Sequence, residues 1–234
     1  MYLIALNPDS GYTQWKTFLG DEPESGIAPN SSAMVAIAGG EAYVATGTGL
    51  AFSLDAISGS LNWVVRYPRT VKNNASRLQE LQRFGGFARG NMGMPDFDGW
   101  DIDTVIPSKR VVVFAPTDFN QLIALDRRTG KLIWETARVP LRGGNESNYV
   151  LGLLDERLFI GGGGVVRCYD VSGGKMLWEN TFPKGYGRGA LTQENIFIPS
   201  GKKDIIKISN IDGAIKDQIT VIPKDDQPLG NIFS

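Results

Sequence analysis

Four carboxylates fall within eight residues at Asp96–Asp103, in the run DFDGWDID. Asp96, Asp98, Asp101 and Asp103 around Gly99 are the residue types that a hard cation such as calcium takes, because it needs several oxygens converging on a sharply turned loop. The order is not that of the helix–loop–helix calcium loop, whose glycine follows a third acidic ligand. The same residues also read as an acidic, solvated connection into a strand, with Asp101 and Asp103 on one face of it. The glycine run Gly161–Gly164 suggests a phosphate cradle, yet neither a helix nor a Lys-Ser/Thr pair follows, so it reads as a turn. Cys168 alternates with Val166 along a strand and reads as a small core residue rather than a reactive thiol.

The missing residue types narrow the chemistry further. There is no histidine, which removes the commonest general base and the commonest metal ligand. A single cysteine excludes an internal disulfide and a cysteine-built zinc site. Lys+Arg at 24 against Asp+Glu at 25 leaves a formal charge of −1, so no global field draws in nucleic acid or an anionic membrane. No run approaches the ~18 apolar residues of a membrane-spanning helix. The opening MYLIALNPDSG turns polar too soon for a signal peptide and reads as the middle of a repeat. A chain of 234 residues can bury a sizeable core, and its 29 glycines and 12 prolines are spread among strand-like segments, as many tight turns require.

The elements that position these residues come from one recurring hairpin. Gln121–Glu135 reads QLIALDRRTGKLIWE: an apolar strand, a polar turn closed by Gly130, and a second strand carrying Trp134. Gly11 and Trp15, Gly59 and Trp63, and Gly174 and Trp178 repeat the spacing, and a fifth copy has Gly213 with Asp217 in the tryptophan position. The glycines end tight turns, where a positive φ is easiest for glycine. Asp55, Asp126 and Asp170 at the turn entrances can accept local backbone N–H bonds. Each tryptophan sits on an outer strand. Because they repeat, these glycines and tryptophans read as structural residues rather than as a unique site.

Two further strand candidates precede each complete hairpin, so a repeat is four short strands, A to D. The turn glycines stand 48, 71, 44 and 39 residues apart, close to the ~40–50 of a four-stranded propeller blade apart from the longest gap. The expected organisation is one domain over 1–234: a partial blade at 1–20, blades at 28–68, 100–140, 149–183 and 187–223, and the start of another at 228–234. The long gap holds an insertion at 69–99, where Leu78, Leu81 and Phe84 share the spacing of a helix over Ala75–Phe84. The fold class is therefore all-β: an open arc of four-stranded antiparallel blades, expected to be part of a longer propeller. Such an arc exposes strand edges, which invite pairing with another chain.

The D-x-x-T/S-G-x-x-x-W hairpin resembles the pyrroloquinoline-quinone (PQQ)-like repeat of quinoprotein dehydrogenases and of BamB-type propellers. The resemblance runs over the whole chain in phase. WD40 repeats would want a Gly-His pair and Trp-Asp, whereas Trp134 and Trp178 are each followed by Glu. The family implies two kinds of function. One is catalysis with PQQ, a calcium ion, a catalytic aspartate and often adjacent cysteines. No such cysteine pair occurs and no calcium-ligand set aligns, so no catalytic or cofactor-binding residue is assigned. The other is a non-catalytic scaffold for a protein or peptide, by resemblance in the periplasm or cell envelope, and this is the leading expectation. A fragment of a PQQ-dependent oxidoreductase and a ligand-sensing propeller attached to another domain are the alternatives.

In a propeller the D-to-A connections all emerge on the channel face. There this chain carries Arg77, Arg83 and Arg89 in the insertion, then Arg142, Asn145, Glu146 and Asn148, then Lys184, Tyr186 and Arg188. Functional residues concentrate on loops held by a rigid scaffold, so these are the expected partner-binding residues. Any one of them also reads as an ordinary solvated loop residue.

Overall fold

The structure is a computed structural model that describes residues 1–21, 33–69, 100, 102–119, 121–137, 148–185, 187–222 and 228–232. Eighteen strands form five antiparallel sheets, and no helix occurs among the described residues. Strands β1 (Tyr2–Leu6) and β2 (Thr13–Phe18) form a two-stranded sheet. The next sheet comprises β3 (Met34–Ala38), β4 (Glu41–Ala45), β5 (Leu50–Asp55) and β6 (Leu61–Arg66). Then come β7 (Thr104–Pro107), β8 (Val111–Ala115), β9 (Gln121–Asp126) and β10 (Leu132–Ala137). The last two sheets are β11 (Tyr149–Leu154) to β14 (Met176–Thr181), by way of β12 (Arg157–Gly162) and β13 (Val165–Asp170), and β15 (Ala190–Leu191) to β18 (Ile215–Thr220), by way of β16 (Asn195–Ser200) and β17 (Asp204–Ser209). Each sheet pairs its strands in chain order, and none closes on itself. The architecture is an open arc of propeller blades, as the repeats imply. The expected helix over 75–84 lies outside the described residues.

The sequence explains the layering. In the third strands β5 and β9 both faces are covered, so β9 runs as LIAL with Leu122 and Ala124 fully buried and Ile123 and Leu125 nearly so. A continuous apolar run of this kind marks a strand sandwiched between neighbours. Its alternate residues serve different joints. Ile123 and Leu125 pack toward the preceding blade with Tyr43, Trp63 and Phe114, while Leu122 and Ala124 pack toward the following one with Trp134, Leu158 and Tyr169. The core is thus a series of slabs between blades. Cys168 lies in the last slab with Phe159, Ile196 and Ile208, and burial pushes its thiol up to about 11.

The repeated tryptophans are the latches of these joints. Trp15 Nε1 donates to Ala56 O at 3.2 Å, Trp63 Nε1 to Arg127 O at 2.8 Å, and Trp134 Nε1 to Val171 O at 2.8 Å. Each indole also lies over the turn glycine of the next blade: Trp15 on Gly59, Trp63 on Gly130, Trp134 on Gly174 and Trp178 on Gly213. The fourth latch is built differently. Arg157 Nη1 donates to Asn210 O, the carbonyl equivalent in the repeat to Ala56, Arg127 and Val171, and Trp178 Nε1 is buried with no partner. A turn glycine is therefore needed twice, once for its left-handed φ (+69° at Gly130) and once because a Cβ would meet the indole. Burying roughly 200 Å² of indole contributes on the order of 5 kcal/mol per latch as an upper bound.

The turns that start at Asp55, Asp126 and Asp170 are each closed by that aspartate, and the first turn by Asn7. Asp126 Oδ1 accepts from the Arg128 and Thr129 amides and the Thr129 hydroxyl, and these bonds, the hydroxyl first, hold its carboxyl below the usual range. Asp55 does the same with Ile57 and Ser58. At the second joint Arg127 adds a polar clamp. Its guanidinium donates to Tyr43 Oη at 2.8 Å, Ser108 O at 2.8 Å, Ala38 O at 2.9 Å and the Glu41 carboxylate at 3.2 Å. Burial, and then the hydrogen bond to Glu41, push the Tyr43 phenol up to about 12.

Candidate functional site

Antiparallel pairing in chain order places every D-to-A connection and every B-to-C turn at one end of the sheets. At that end the second joint gathers a polar cluster from three separate segments. Tyr67, just after β6, donates its hydroxyl to Asp118 Oδ1 at 2.8 Å, and Arg69 Nε donates to Asp118 Oδ2 at 2.9 Å. Asp118 belongs to the β8–β9 turn, where Phe119 packs its ring 5.9 Å from that of Tyr67. The turn's Thr117 amide donates to Asp103 Oδ1 at 2.6 Å. Asp103 enters one residue before β7 and is 1% exposed.

The electrostatics follow from that burial. Desolvation raises the Asp103 carboxyl above its usual range; the Thr117 amide opposes the rise and the nearby Asp118 adds to it. Desolvation also raises the Tyr67 phenol, with Asp118 reinforcing it. Asp118 has both oxygens engaged, whereas Asp103 Oδ2 and Thr117 Oγ1 are buried without a hydrogen-bond partner. The arrangement can hold one proton on Asp103, beside the Thr117 hydroxyl. Among the described residues no three His, Cys, Asp or Glu side chains lie together as a metal site.

The later joints continue this rim. Trp100 bridges in parallel to Asn148 and donates Nε1 to Gln121 O at 3.3 Å, so consecutive D-to-A connections touch each other. Arg188 places its guanidinium carbon 5.0 Å from the Tyr149 ring centroid, and the Gly189 amide donates to Tyr149 Oη at 3.0 Å. Beyond it, the Ile232 amide donates to Arg188 O at 2.9 Å and the Arg188 amide to Asn231 Oδ1 at 2.8 Å. Lys184 bridges to Ser200, and the Gly201 amide donates to Lys184 O at 2.9 Å.

Of the residues singled out in the sequence, Asn148, Lys184 and Arg188 lie at this end. Asn148 is buried, its Nδ2 unpartnered, rather than displayed. Arg77, Arg83, Arg89, Arg142, Asn145, Glu146 and Tyr186 lie outside the described residues, as do Asp96, Asp98 and Asp101 of the proposed cation loop. Asp103, the described member of that loop, points into the cluster with Thr117 and Asp118. Sequence reading passed over Tyr67, Arg69, Thr117 and Asp118. The signal for them in the sequence is that B-to-C turns share an end with the D-to-A connections. At the opposite end a cleft of about 450 Å³ opens at the fourth joint, lined by Asp155, Arg157, Glu194, Asn210 and Lys216.

Comparison with known proteins places this geometry. Residues 2–81 match the family model described as outer membrane protein assembly factor BamB. That match covers about a third of the chain, and the hairpin repeated along the rest is similar to the PQQ-like repeat. Quinohemoprotein alcohol dehydrogenase ADHIIG from Pseudomonas putida HK5 matches with a TM-score of 0.55 and 16% identity, over 82% of this chain and 34% of that one. Quinohemoprotein alcohol dehydrogenase from Comamonas testosteroni gives 0.56 and 15%, over 84% of this chain and 36% of that one. At such identity these two show the propeller fold alone, and the chain spans about a third of their length. BamB from Moraxella catarrhalis matches at a TM-score of 0.46 and 18% identity, over 100% of this chain and 73% of that one. No curated protein sequence matches. No helix among the described residues of this arc is long and apolar enough to cross a membrane.

Proposed function

We propose that this PQQ-like arc is a non-catalytic interaction scaffold of the cell envelope, whose channel end presents non-repeating connections to a protein or peptide partner. The observation that carries this reading is the locked rim. Tyr67, Arg69 and Asp118 fasten the end of one blade to the turn of the next, and Trp100 with Asn148 joins two successive connections. Strand ends held at fixed separations give recognition residues a rigid base, and a rigid base loses little freedom on binding an extended partner. The match of residues 2–81 to a model described as an assembly factor supports the same class and the envelope location.

A second reading, a piece of a quinoprotein oxidoreductase, draws on the fold shared with the two dehydrogenases. The described residues do not fit the group it needs. Asp118 is held on both oxygens and Asp103 on one, which leaves a single carboxylate oxygen and the Thr117 hydroxyl where calcium takes six to eight oxygens.

The two readings separate in one experiment. Photo-crosslinking residues placed at Arg69, Arg188 and Lys202, against Arg128 and Lys175 at the opposite end, would be activated in intact cells. Discrete adducts from the first set alone support the scaffold. Equal or absent adducts from both sets, with PQQ- and calcium-dependent dye reduction by the full protein, would replace it with the enzyme.

A further inference from the structure

The joints between blades differ at one pair of positions. Glu41, Val111 and Arg157 each open the second strand of a four-stranded blade and stand opposite the turn aspartates Asp55, Asp126 and Asp170. Each faces the residue that follows the turn start in the next blade. At the second joint Glu41 meets Arg127, whose guanidinium donates to the carboxylate at 3.2 Å. At the third, Val111 and Val171 are both fully buried in one slab. At the fourth, Arg157 meets Asn210. The second joint thus holds both members of an ion pair, the third neither, and the fourth the arginine alone.

Arg157 Nη1 donates to Asn210 O at 3.2 Å and to Ile211 O at 3.5 Å, while Nε and Nη2 have no hydrogen-bond partner among the described residues. A guanidinium carries five N–H donors in a fork that matches a carboxylate. This one lines the cleft of about 450 Å³ at the fourth joint, a volume in the range of small-molecule pockets. Lys216 is a second cation of that lining, and Asp155 and Glu194 bring two carboxylates. Among the described residues none of these four charges forms an ion pair. Asp155 has φ +49° in a turn whose second-blade counterpart uses Gly39 at φ +60°, so a carboxylate is kept where glycine is easier. Every lining residue belongs to β11–β14, to β15–β18 or to the turns within those two four-stranded sheets.

We propose that this cleft binds a small zwitterion with a free carboxylate and a free α-ammonium group, an amino acid or a dipeptide. The carboxylate completes the fork on Arg157, as Glu41 and Arg127 complete each other two joints earlier, with Lys216 beside it. The ammonium group faces Asp155 and Glu194. A plain anion is disfavoured, because the same two carboxylates repel it. Ile211, 69% exposed, offers an apolar ledge to the guest's side chain. The cleft lies at the end opposite the rim, so the proposal stands or falls independently of the channel-end scaffold.

The test titrates alanine and alanylalanine into the 234-residue chain, read by calorimetry and by amide chemical shifts. Saturable one-to-one binding should move the amides of Gln193–Asn195 and Ser209–Ile211 and leave those of Gly39 and Gly40 in place; the tighter of the two probes gives the size of the guest. Alanylalanine amide and N-acetyl-alanylalanine, each lacking one charged end, should bind about tenfold more weakly or worse. Arg157→Met should bring alanylalanine down to the level of its amide. Asp155→Asn combined with Glu194→Gln should bring it down to the level of its N-acetyl form, and asparagine tolerates the left-handed turn. Absence of saturable binding by either zwitterion, or binding indifferent to the missing ends and to the substitutions, overturns the proposal. Equal binding of alanylalanine and its N-acetyl form makes the cleft a plain carboxylate site and overturns it as well.

Discussion

Replacing Gly130 with alanine tests whether the tryptophan latch, rather than the turn alone, fixes the blade joints. Gly130 has φ +69°, and Gly40, in the turn between β3 and β4, has φ +79°. Either alanine would sit in the left-handed region at about 1–2 kcal/mol. They differ in what the new Cβ meets. At Gly40 nothing lies within 4 Å, whereas at Gly130 the Trp63 ring atoms Cδ2, Cγ and Cε3 lie at 2.9, 3.0 and 3.1 Å. The indole must retreat by several tenths of an ångström, stretching its 2.8 Å hydrogen bond to Arg127 O and disturbing its packing on Tyr43 and Phe114. A weakened hydrogen bond costs about 1 kcal/mol and an overpacked contact about 1–3 kcal/mol. Gly130→Ala should therefore cost about 2 kcal/mol more than Gly40→Ala. With a urea m-value of about 2–3 kcal/mol/M, the unfolding midpoint should fall by a further ~0.7–1 M. Tryptophan fluorescence in urea reports this directly. Truncating the indole first, as Trp63→Leu, should bring the cost of Gly130→Ala down to that of Gly40→Ala. Equal midpoints for the two alanine variants, with Trp63 present, would refute the latch.

The remaining expectations concern single groups. Trp134→Phe should cost about 1 kcal/mol more than Trp178→Phe, since only Trp134 gives up a hydrogen bond; thermal unfolding of the two variants compares them. Arg157→Met should free Asn210 O for Trp178 Nε1, and slower amide exchange in β16 and β17 would show it. Asp103 binds its proton more tightly folded than unfolded, so its ionisation erodes stability as pH rises from the ordinary carboxylate value of about 4 through its raised folded value. Asp103→Asn should thus stabilise the protein at neutral pH and lose that advantage below about pH 4, read from unfolding midpoints across pH. Among the tyrosines, Tyr43 should ionise only near 12, and Arg127→Ala should disturb that step in an ultraviolet titration.

What the sequence determined by itself is the repeat. The phased Gly and Trp, the period of the hairpin and the alternation within strands are local, and β9 and β10 fall where the Gln121–Glu135 hairpin puts its strands, whereas the blade start expected at 228–234 shows no strand among its described residues 228–232. Local turn chemistry was equally legible, because Asp55 and Asp126 bond their own neighbours two and three residues on. Tertiary structure decided the pairings across repeats. Gly130 looks like the partner of Trp134 in the sequence, but it supports Trp63, from the blade before. Asp118 carries no motif, and meets Tyr67 and Arg69 only because stacking aligns a B-to-C turn with the end of the neighbouring blade. The near-identity of β1 and β9 could be read from the letters, whereas the exposure that separates Ile4 from Ile123 could not. A sequence records which side chains repeat, and burial depends on which strands are present to cover them.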